Sequence, residues 1–203
     1  MPGLADFFAL CAVAAACAGA LTLAARRRLN RTTTLILFSA FAATLLVPFG
    51  GLPIAAYIRG FVGDPSFSLL ALIAAHFLVP QSPQDSPDRR MAFLVTVSAG
   101  ALLLYPLALG AGAIDPYRWG FNNSWFLASL LSLGLIAHVL RWPLVLAAIS
   151  LAIIGWSLDV YASRNLWDYL LDPLLALYAL LATTRWLGKS AWRIALVWWS
   201  KAE

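Results

Sequence analysis

The sequence predicts an all-α, polytopic integral membrane protein, a bundle of seven transmembrane helices. Of its 203 residues, 62% are hydrophobic and only 11% are charged, whereas a soluble domain is about 45–50% apolar and about 25% charged. The apolar residues fall into runs that approach the ~20 residues a helix needs to cross a bilayer. These runs lack the alternation of polar and apolar residues typical of a membrane β-barrel. Composition therefore excludes an ordinary water-soluble domain.

The first half of the chain contains three apolar runs. Residues 4–25 are followed by basic residues, whereas a signal peptide carries its positive charge before the apolar region, so we expect a retained first helix with its N-terminus outside. The uncharged run 32–48 ends where Pro and Gly break the helix, and residues 54–63 are interpreted as an outer interfacial segment. The run 64–80 is short for a span, and a re-entrant third run would give six spans as the fallback.

The second half contains four more predicted spans. Residues 91–114 form the clearest one. Residues 125–140 and 144–158 are separated by three residues only, which predicts an antiparallel hairpin. The last span is predicted to run from Asn165 to Leu187 with a kink at Pro173, because residues 173–187 alone are too short to cross.

The basic residues indicate the orientation of this bundle. In the predicted topology the cytoplasmic segments hold Arg26, Arg27, Arg28, Arg31, Arg89, Arg90, Arg141, Arg185, Lys189, Arg193 and Lys201. The outer segments hold Arg59, Arg118 and Arg164. This bias predicts an integral protein of the cytoplasmic (inner) membrane with a cytoplasmic C-terminus. The excess of Arg over Lys and the abundance of Ala indicate a bacterial source. Residues 1–187 would form the transmembrane bundle and residues 188–203 a basic, Trp-containing amphipathic helix at the cytoplasmic interface. The same spread of charges does not favour nucleic acid as a partner.

Polar residues gather in the predicted outer loops. If residues 165–187 are helical, Asp168 and Asp172 lie one turn apart on one face, where they could act as an acid/base pair or bind a cation. Arg118 and Arg164 could hold a phosphate or a carboxylate. The candidate catalytic residues are Asp115, Asp159, Asp168 and Asp172. The candidate ligand-binding residues are Arg118, Asn122, Asn123, Arg164, Asn165 and Trp167.

A structural interpretation of the same residues stays open. Each of the pairs Asp64–Pro65, Asp115–Pro116 and Asp172–Pro173 is typical of a helix start, with Asp as N-cap and Pro at the first helical position. An aromatic belt at the membrane boundary would explain the neighbouring Trp and Tyr residues without any ligand. The rim would then be a solvated set of helix caps and ion pairs.

The two histidines offer a different hypothesis. His76 and His138 are predicted near the cytoplasmic ends of two spans that run in the same direction, so they could lie at one depth and ligate one b-type haem. A histidine within a span is a functional candidate by default. Apart from this haem hypothesis, the sequence predicts no metal and no cofactor.

The leading functional hypothesis is a non-catalytic membrane protein. It would bind a lipid or glycolipid, or a partner membrane subunit or second copy, through the polar and aromatic outer rim. No metalloprotease, nucleophile-elbow, Walker or dinucleotide motif occurs in the sequence, so catalysis is left undecided with a preference against it. The alternatives are a membrane enzyme that uses the outer Asp residues on a lipid-linked substrate and a b-haem electron carrier.

Overall fold

The computed structural model describes residues 3–25, 29–78 and 87–199, and over these residues the protein is all-α. The helices are α1 Leu4–Ala25, α2 Arg31–Leu45, α3 Ile54–Val62, α4 Phe67–Leu78, α5 Pro87–Ala108, α6 Ser124–Val139, α7 Pro143–Ser157, α8 Leu166–Leu170 and α9 Pro173–Trp199. A small antiparallel hairpin, β1 Pro48–Phe49 with β2 Leu52–Pro53, lies between α2 and α3. A 3₁₀ turn at Pro116–Gly120 precedes α6. The predicted all-α class is confirmed.

Helix α7 occupies the centre of the bundle. It packs against α4, α5, α6 and α8, while α5 also packs along α9. Helices α1, α2 and α3 form a second layer that joins the rest where α1 meets α4. The main core lies between α4, α5, α7 and α9 and includes the fully buried side chains of Phe93, Val145 and Leu175. Both the loop segment 115–123 and the segment 159–172 lie over one end of this core.

Small side chains lie at several contacts between helices, and many large apolar side chains are exposed on the outside. In α7, Ala148, Ala152 and Gly155 are buried, whereas Leu151 and Ile154 are exposed. Position 155 requires glycine because α4 and α7 approach closely there, and an added Cβ would lie 2.6 Å from the ring of Phe67 in α4. A helix on the surface of a soluble protein carries polar residues on its outer face. Small residues between helices and large apolar residues outside are typical of helices packed in lipid.

Two helices are long and apolar enough to cross a membrane. They are α1, over Ala5–Thr22, and α5, over Arg89–Ala108. The apolar helices α2, α4, α6 and α7 are shorter. By length and composition, the described residues thus give weak support to membrane association. The count of seven spans goes beyond this finding and stays a prediction.

The last predicted span does not begin at Asn165. The chain is helical over α8, becomes extended at Leu171 (φ −135°, ψ 136°) and starts α9 at Pro173. Proline in a helix interior removes a hydrogen bond and clashes with the preceding turn, whereas at the first helical position it does neither. The predicted continuous helix with a kink is therefore wrong.

Helix α9 continues without a break to Trp199, so no helix end separates the predicted last span from the predicted tail at residue 188. The interfacial position of this tail stays a prediction. Residues 26–28, predicted to lie in a cytoplasmic segment, and residues 200–203 at the end of the predicted tail are outside the described residues.

Candidate functional site

The outer loops predicted to carry the site contact one another directly. The Asn165 Nδ2 donates to the carbonyl oxygen of Tyr117 at 2.9 Å, and the Trp167 Nε1 donates to that of Pro116 at 2.9 Å. The Tyr117 hydroxyl donates to the Asp168 carboxylate at 3.1 Å. We call the two segments, residues 115–123 and 159–172, the loop cap. The structure thus brings the candidate residues of both segments to one end of the bundle.

Local capping explains the shape of the loop cap. The Asp115 carboxylate accepts from the backbone N–H of Tyr117 at 3.0 Å and starts the 3₁₀ turn, so the predicted Asp–Pro helix start is confirmed here. The Asn123 side chain accepts from the backbone N–H groups of Trp125 and Phe126, the second and third residues of α6. The Asn165 side chain accepts from the backbone N–H of Trp167 and starts α8. These two carboxamide oxygens, predicted as ligand contacts, are engaged in capping.

Gly120 permits the close contact between the two segments. It is buried, and an added Cβ would lie 2.6 Å from Cγ of Asn165 and 2.9 Å from Cδ1 of Trp167. The Asn165 side chain is fully buried and Trp167 nearly so. Sequence reasoning missed Gly120, and a lone glycine between two aromatic residues gives no signal of its own.

Asp172 joins the N-termini of two helices. Its carboxylate is 3% exposed. Oδ1 accepts from the backbone N–H of Leu175 at 2.8 Å, and Oδ2 accepts from the backbone N–H and the hydroxyl of Ser66 at 2.9 and 2.7 Å. The Ser66 hydroxyl oxygen in turn accepts from the N–H of Leu69 and caps α4. A negative charge between two helix N-termini is favourable because both macrodipoles point their positive ends toward it.

Asp168 bonds to different partners. Its half-buried carboxylate accepts from the hydroxyl groups of Tyr117 and Ser163. Because the chain is extended at Leu171, Asp168 and Asp172 do not lie one turn apart on a single helix, and that expectation is wrong. Burial, together with the negative charge of Asp168, raises the pKa of Tyr117 to about 12. Ser163 was not among the predicted site residues.

The remaining candidates line the exposed rim of the loop cap. Arg118 and Arg164 are exposed, and neither forms an ion pair with any residue that the structure describes. Arg118 directly follows Tyr117, and Arg164 directly precedes Asn165. The hydrogen bond between Tyr117 and Asn165 helps to join the two segments. By the rim we mean these exposed candidate residues of the loop cap: Asp115, Arg118, Asn122, Asp159 and Arg164. Asn122 and Asp159 both adopt left-handed backbone conformations (φ 59° and 49°).

The pocket beneath the rim is small. It has a volume of about 40 Å³, and Asn122, Asn123, Trp119 and Trp156 contribute to its lining. A single water needs about 10–15 Å³, so this pocket accommodates water but not a sugar ring or a lipid headgroup.

A second polar cluster at the same end lies outside the loop cap. The Arg59 guanidinium in α3 bonds to Asp6 in α1 at 3.1 Å and to Asp64 at 2.6 Å. The hydrogen bond to Asp64 is the main cause that raises the pKa of Arg59. Asp64 therefore serves as an ion-pair partner, and Ser66 caps α4 in its place. The predicted helix-start role of Asp64 is wrong.

The histidines lie on different helices. His138 is exposed on α6 and lines an apolar groove of about 530 Å³ between α6 and α7. His76 is half-buried on α4, its ring 5.2 Å from that of Phe77, and is not among the lining residues of this groove. In residues 3–25, 29–78 and 87–199 no group of three or more His, Cys, Asp or Glu residues could hold a metal ion. Haem binding by the two histidines stays a prediction.

No protein-family model matches this chain, and no curated protein and no solved structure matches it either.

Proposed function

We propose that this chain is a non-catalytic integral membrane protein that binds an anionic lipid headgroup through Arg118 and Arg164 on the rim of the loop cap. The observation that carries the proposal is that Arg118 and Arg164 are both exposed, lie on two segments that hydrogen bonds hold together, and have no ion-pair partner among the described residues. Guanidinium groups bind phosphate through paired, charge-assisted hydrogen bonds.

The membrane part of the proposal is supported by the surface of the helices. Large apolar side chains are exposed along the bundle, among them Phe7, Leu102, Leu135 and Leu181. Large apolar side chains exposed in such number are unfavourable in water and favourable in lipid. Two helices are long and apolar enough to span a bilayer.

The pattern of contacts between loops supports the proposed two-sided topology. Arg59 bonds to Asp6, Ser66 bonds to Asp172, and residues 116–117 bond to residues 165–168, and all of these segments are proposed to be outside. At the other end, Arg31 Nη2 donates to the carbonyl oxygen of Phe77, and both residues are proposed to be near the cytoplasm. These contacts agree with seven spans whose connecting segments lie alternately outside and on the cytoplasmic side.

The acidic residues support binding over catalysis. Asp172 is buried and its two oxygens accept three hydrogen bonds from the protein, so a substrate outside the bundle does not reach it. Asp168 accepts from two hydroxyl groups that tie the loop cap together. A general base needs to reach the proton it removes. The enzyme alternative would therefore depend on the exposed residues Asp115 and Asp159.

Native mass spectrometry in a mild detergent tests this proposal, with phosphatidylglycerol and phosphatidylcholine added in turn. We expect retention of phosphatidylglycerol, and at least a tenfold loss in the double variant Arg118→Gln/Arg164→Gln. Hydrogen bonds to charged groups contribute about 1.5–3 kcal/mol each, and ~1.4 kcal/mol is tenfold in affinity. Arg185→Gln, an exposed arginine on α9, is the matched control.

The outcomes separate the alternatives. Equal retention of both lipids, or unchanged retention in the double variant, would contradict headgroup binding at the rim. A co-purifying protein subunit lost in the double variant would favour the partner-subunit hypothesis. A chain that stays monodisperse in water without detergent would contradict membrane integration itself.

A further inference from the structure

Helices α6 and α7 are too short for an average bilayer. They contain 16 and 15 residues, and at ~1.5 Å per residue they rise only about 24 and 22 Å. The hydrocarbon core of a typical bilayer is about 30 Å thick. The two helices therefore fall short by roughly 6–8 Å if they stand perpendicular to the membrane, and tilting increases the deficit.

Specific caps set the length of this hairpin. Helix α6 starts at the Asn123 cap and ends before Arg141, whose backbone is left-handed (φ 57°). Helix α7 starts with Pro143 and ends before Asp159 (φ 49°). At both C-terminal ends the chain closes a Schellman motif, with Trp142 N–H donating to Ala137 and Val160 N–H donating to Gly155. Neither helix can grow by a turn without breaking a cap.

Aromatic residues mark the same two boundaries. Trp125 lies in the first turn of α6 and is 86% exposed. Trp142 precedes α7, and Trp156 lies in its last turn, both partly buried. Indole rings favour the interface between headgroups and hydrocarbon. From Trp142 to Trp156 the helix rises about 21 Å, so the rings bracket an apolar layer as thin as the helices.

The short hairpin stands beside a helix of ordinary length. Helix α5 packs against α7 and contains 22 residues, which rise about 33 Å. We call the surface formed by α6 and α7 the thin face; α2 and α4, with 15 and 12 residues, are short as well. Large apolar side chains are exposed on this face, and Leu131, Leu135 and Ile154 line the groove between the two helices.

We propose that the thin face thins the bilayer around it and fits phospholipids with short acyl chains. A span shorter than the hydrocarbon layer is accommodated by thinning of the bilayer. Acyl chains are the occupant because the groove is lined mainly by apolar side chains, with His138 and Ser150 as its polar members, and because the face ends in aromatic rings at both boundaries. The inference rests on the membrane part of the proposed function and is independent of the headgroup site at Arg118 and Arg164.

Reconstitution into vesicles of different thickness tests this inference. The full chain is placed in phosphatidylcholine vesicles with fourteen-, eighteen- or twenty-two-carbon acyl chains, and flotation measures whether it is integrated. The thermal unfolding midpoint is then followed by circular dichroism, and the bilayer thickness by small-angle X-ray scattering. We expect the highest midpoint with fourteen-carbon chains, and a bilayer of eighteen-carbon chains that becomes thinner as the protein content rises.

A pair of tryptophan variants locates the effect. Trp125→Leu/Trp142→Leu removes rings from both boundaries, and we expect the midpoint to depend less on chain length. Trp192→Leu, which removes an exposed ring from α9, should keep the full dependence. Circular dichroism at low temperature checks that the variants keep their helix content.

Three results would overturn the inference. The first is that the thermal unfolding midpoint is highest in the eighteen- or twenty-two-carbon vesicles and that the protein leaves the bilayer thickness unchanged. Another is a stable dimer in the fourteen-carbon vesicles that cross-links through α6, because a second copy would then cover the thin face. Failure to float with vesicles of any thickness would overturn the membrane part of the proposed function together with this inference, and so is distinguishable from the first two.

Discussion

Removal of the Asp172 carboxylate should strongly destabilise the fold. The variant Asp172→Ala deletes the acceptor of three hydrogen bonds and leaves the buried donors of Ser66 and Leu175 without it. Hydrogen bonds to charged groups contribute about 1.5–3 kcal/mol each, and loss of an N-cap costs ~1 kcal/mol. Because water can replace part of this network, we expect the free energy of unfolding to fall by about 3–5 kcal/mol.

A double-mutant cycle isolates the bond between the two helix starts. Ser66→Ala removes the hydroxyl that donates to Asp172 at 2.7 Å, and the coupling between the two substitutions should be about 1–3 kcal/mol. Equilibrium unfolding in mixed detergent micelles, followed by far-ultraviolet circular dichroism, measures each corner of the cycle. Asp115→Ala, an exposed cap that accepts one bond, is the control and should cost ~1 kcal/mol. Additive effects, or an Asp172→Ala cost no larger than the control, would refute this reasoning.

Two further predictions concern the loop cap. Gly120→Ala places a methyl group against the Asn165 carboxamide and should lower the free energy of unfolding by about 1–3 kcal/mol. Gly188→Ala, in open space on α9, is the control and should raise it by up to ~1 kcal/mol. Equal effects of the two variants in chemical unfolding would contradict the close contact at Gly120. The pKa of Tyr117 is raised from 10.0 to about 12, so its contribution to stability is complete below pH 10 and is lost as the pH rises toward 12. Unfolding measured across this range should depend less on pH in Tyr117→Phe, and identical profiles would refute the assignment.

Local sequence patterns predicted much of the helical architecture. The hairpin of α6 and α7 agrees with the predicted spans to within one residue at each end, because Pro143 and the long apolar runs are signals carried by neighbouring residues. The same holds for Asp115–Pro116, where the cap and the capped turn are adjacent. Such features depend on a few consecutive residues and can be read directly.

Contacts between distant residues could not be predicted in this way. Asp64, Asp115 and Asp172 each precede a proline, yet one pairs with Arg59, one caps a turn and one joins two helices. The partner depends on which segments meet in three dimensions, and a carboxylate serves equally well in each role. Asp168 and Asn165 lie close together in the sequence, so their grouping at one end of the bundle was predictable, whereas their hydrogen bonds to Tyr117 were not.

The bond between Ser66 and Asp172 also imposes an order on biosynthesis. The two residues are 106 positions apart, and a ribosome that adds ~5–20 residues per second needs about 5–20 s to cover that distance. During this interval the start of α4 has only its serine cap, because the Asp172 carboxylate that accepts from the backbone N–H of Ser66 has not yet been synthesised. The bond that ties the start of α4 to the start of α9 therefore forms only after synthesis has passed Asp172.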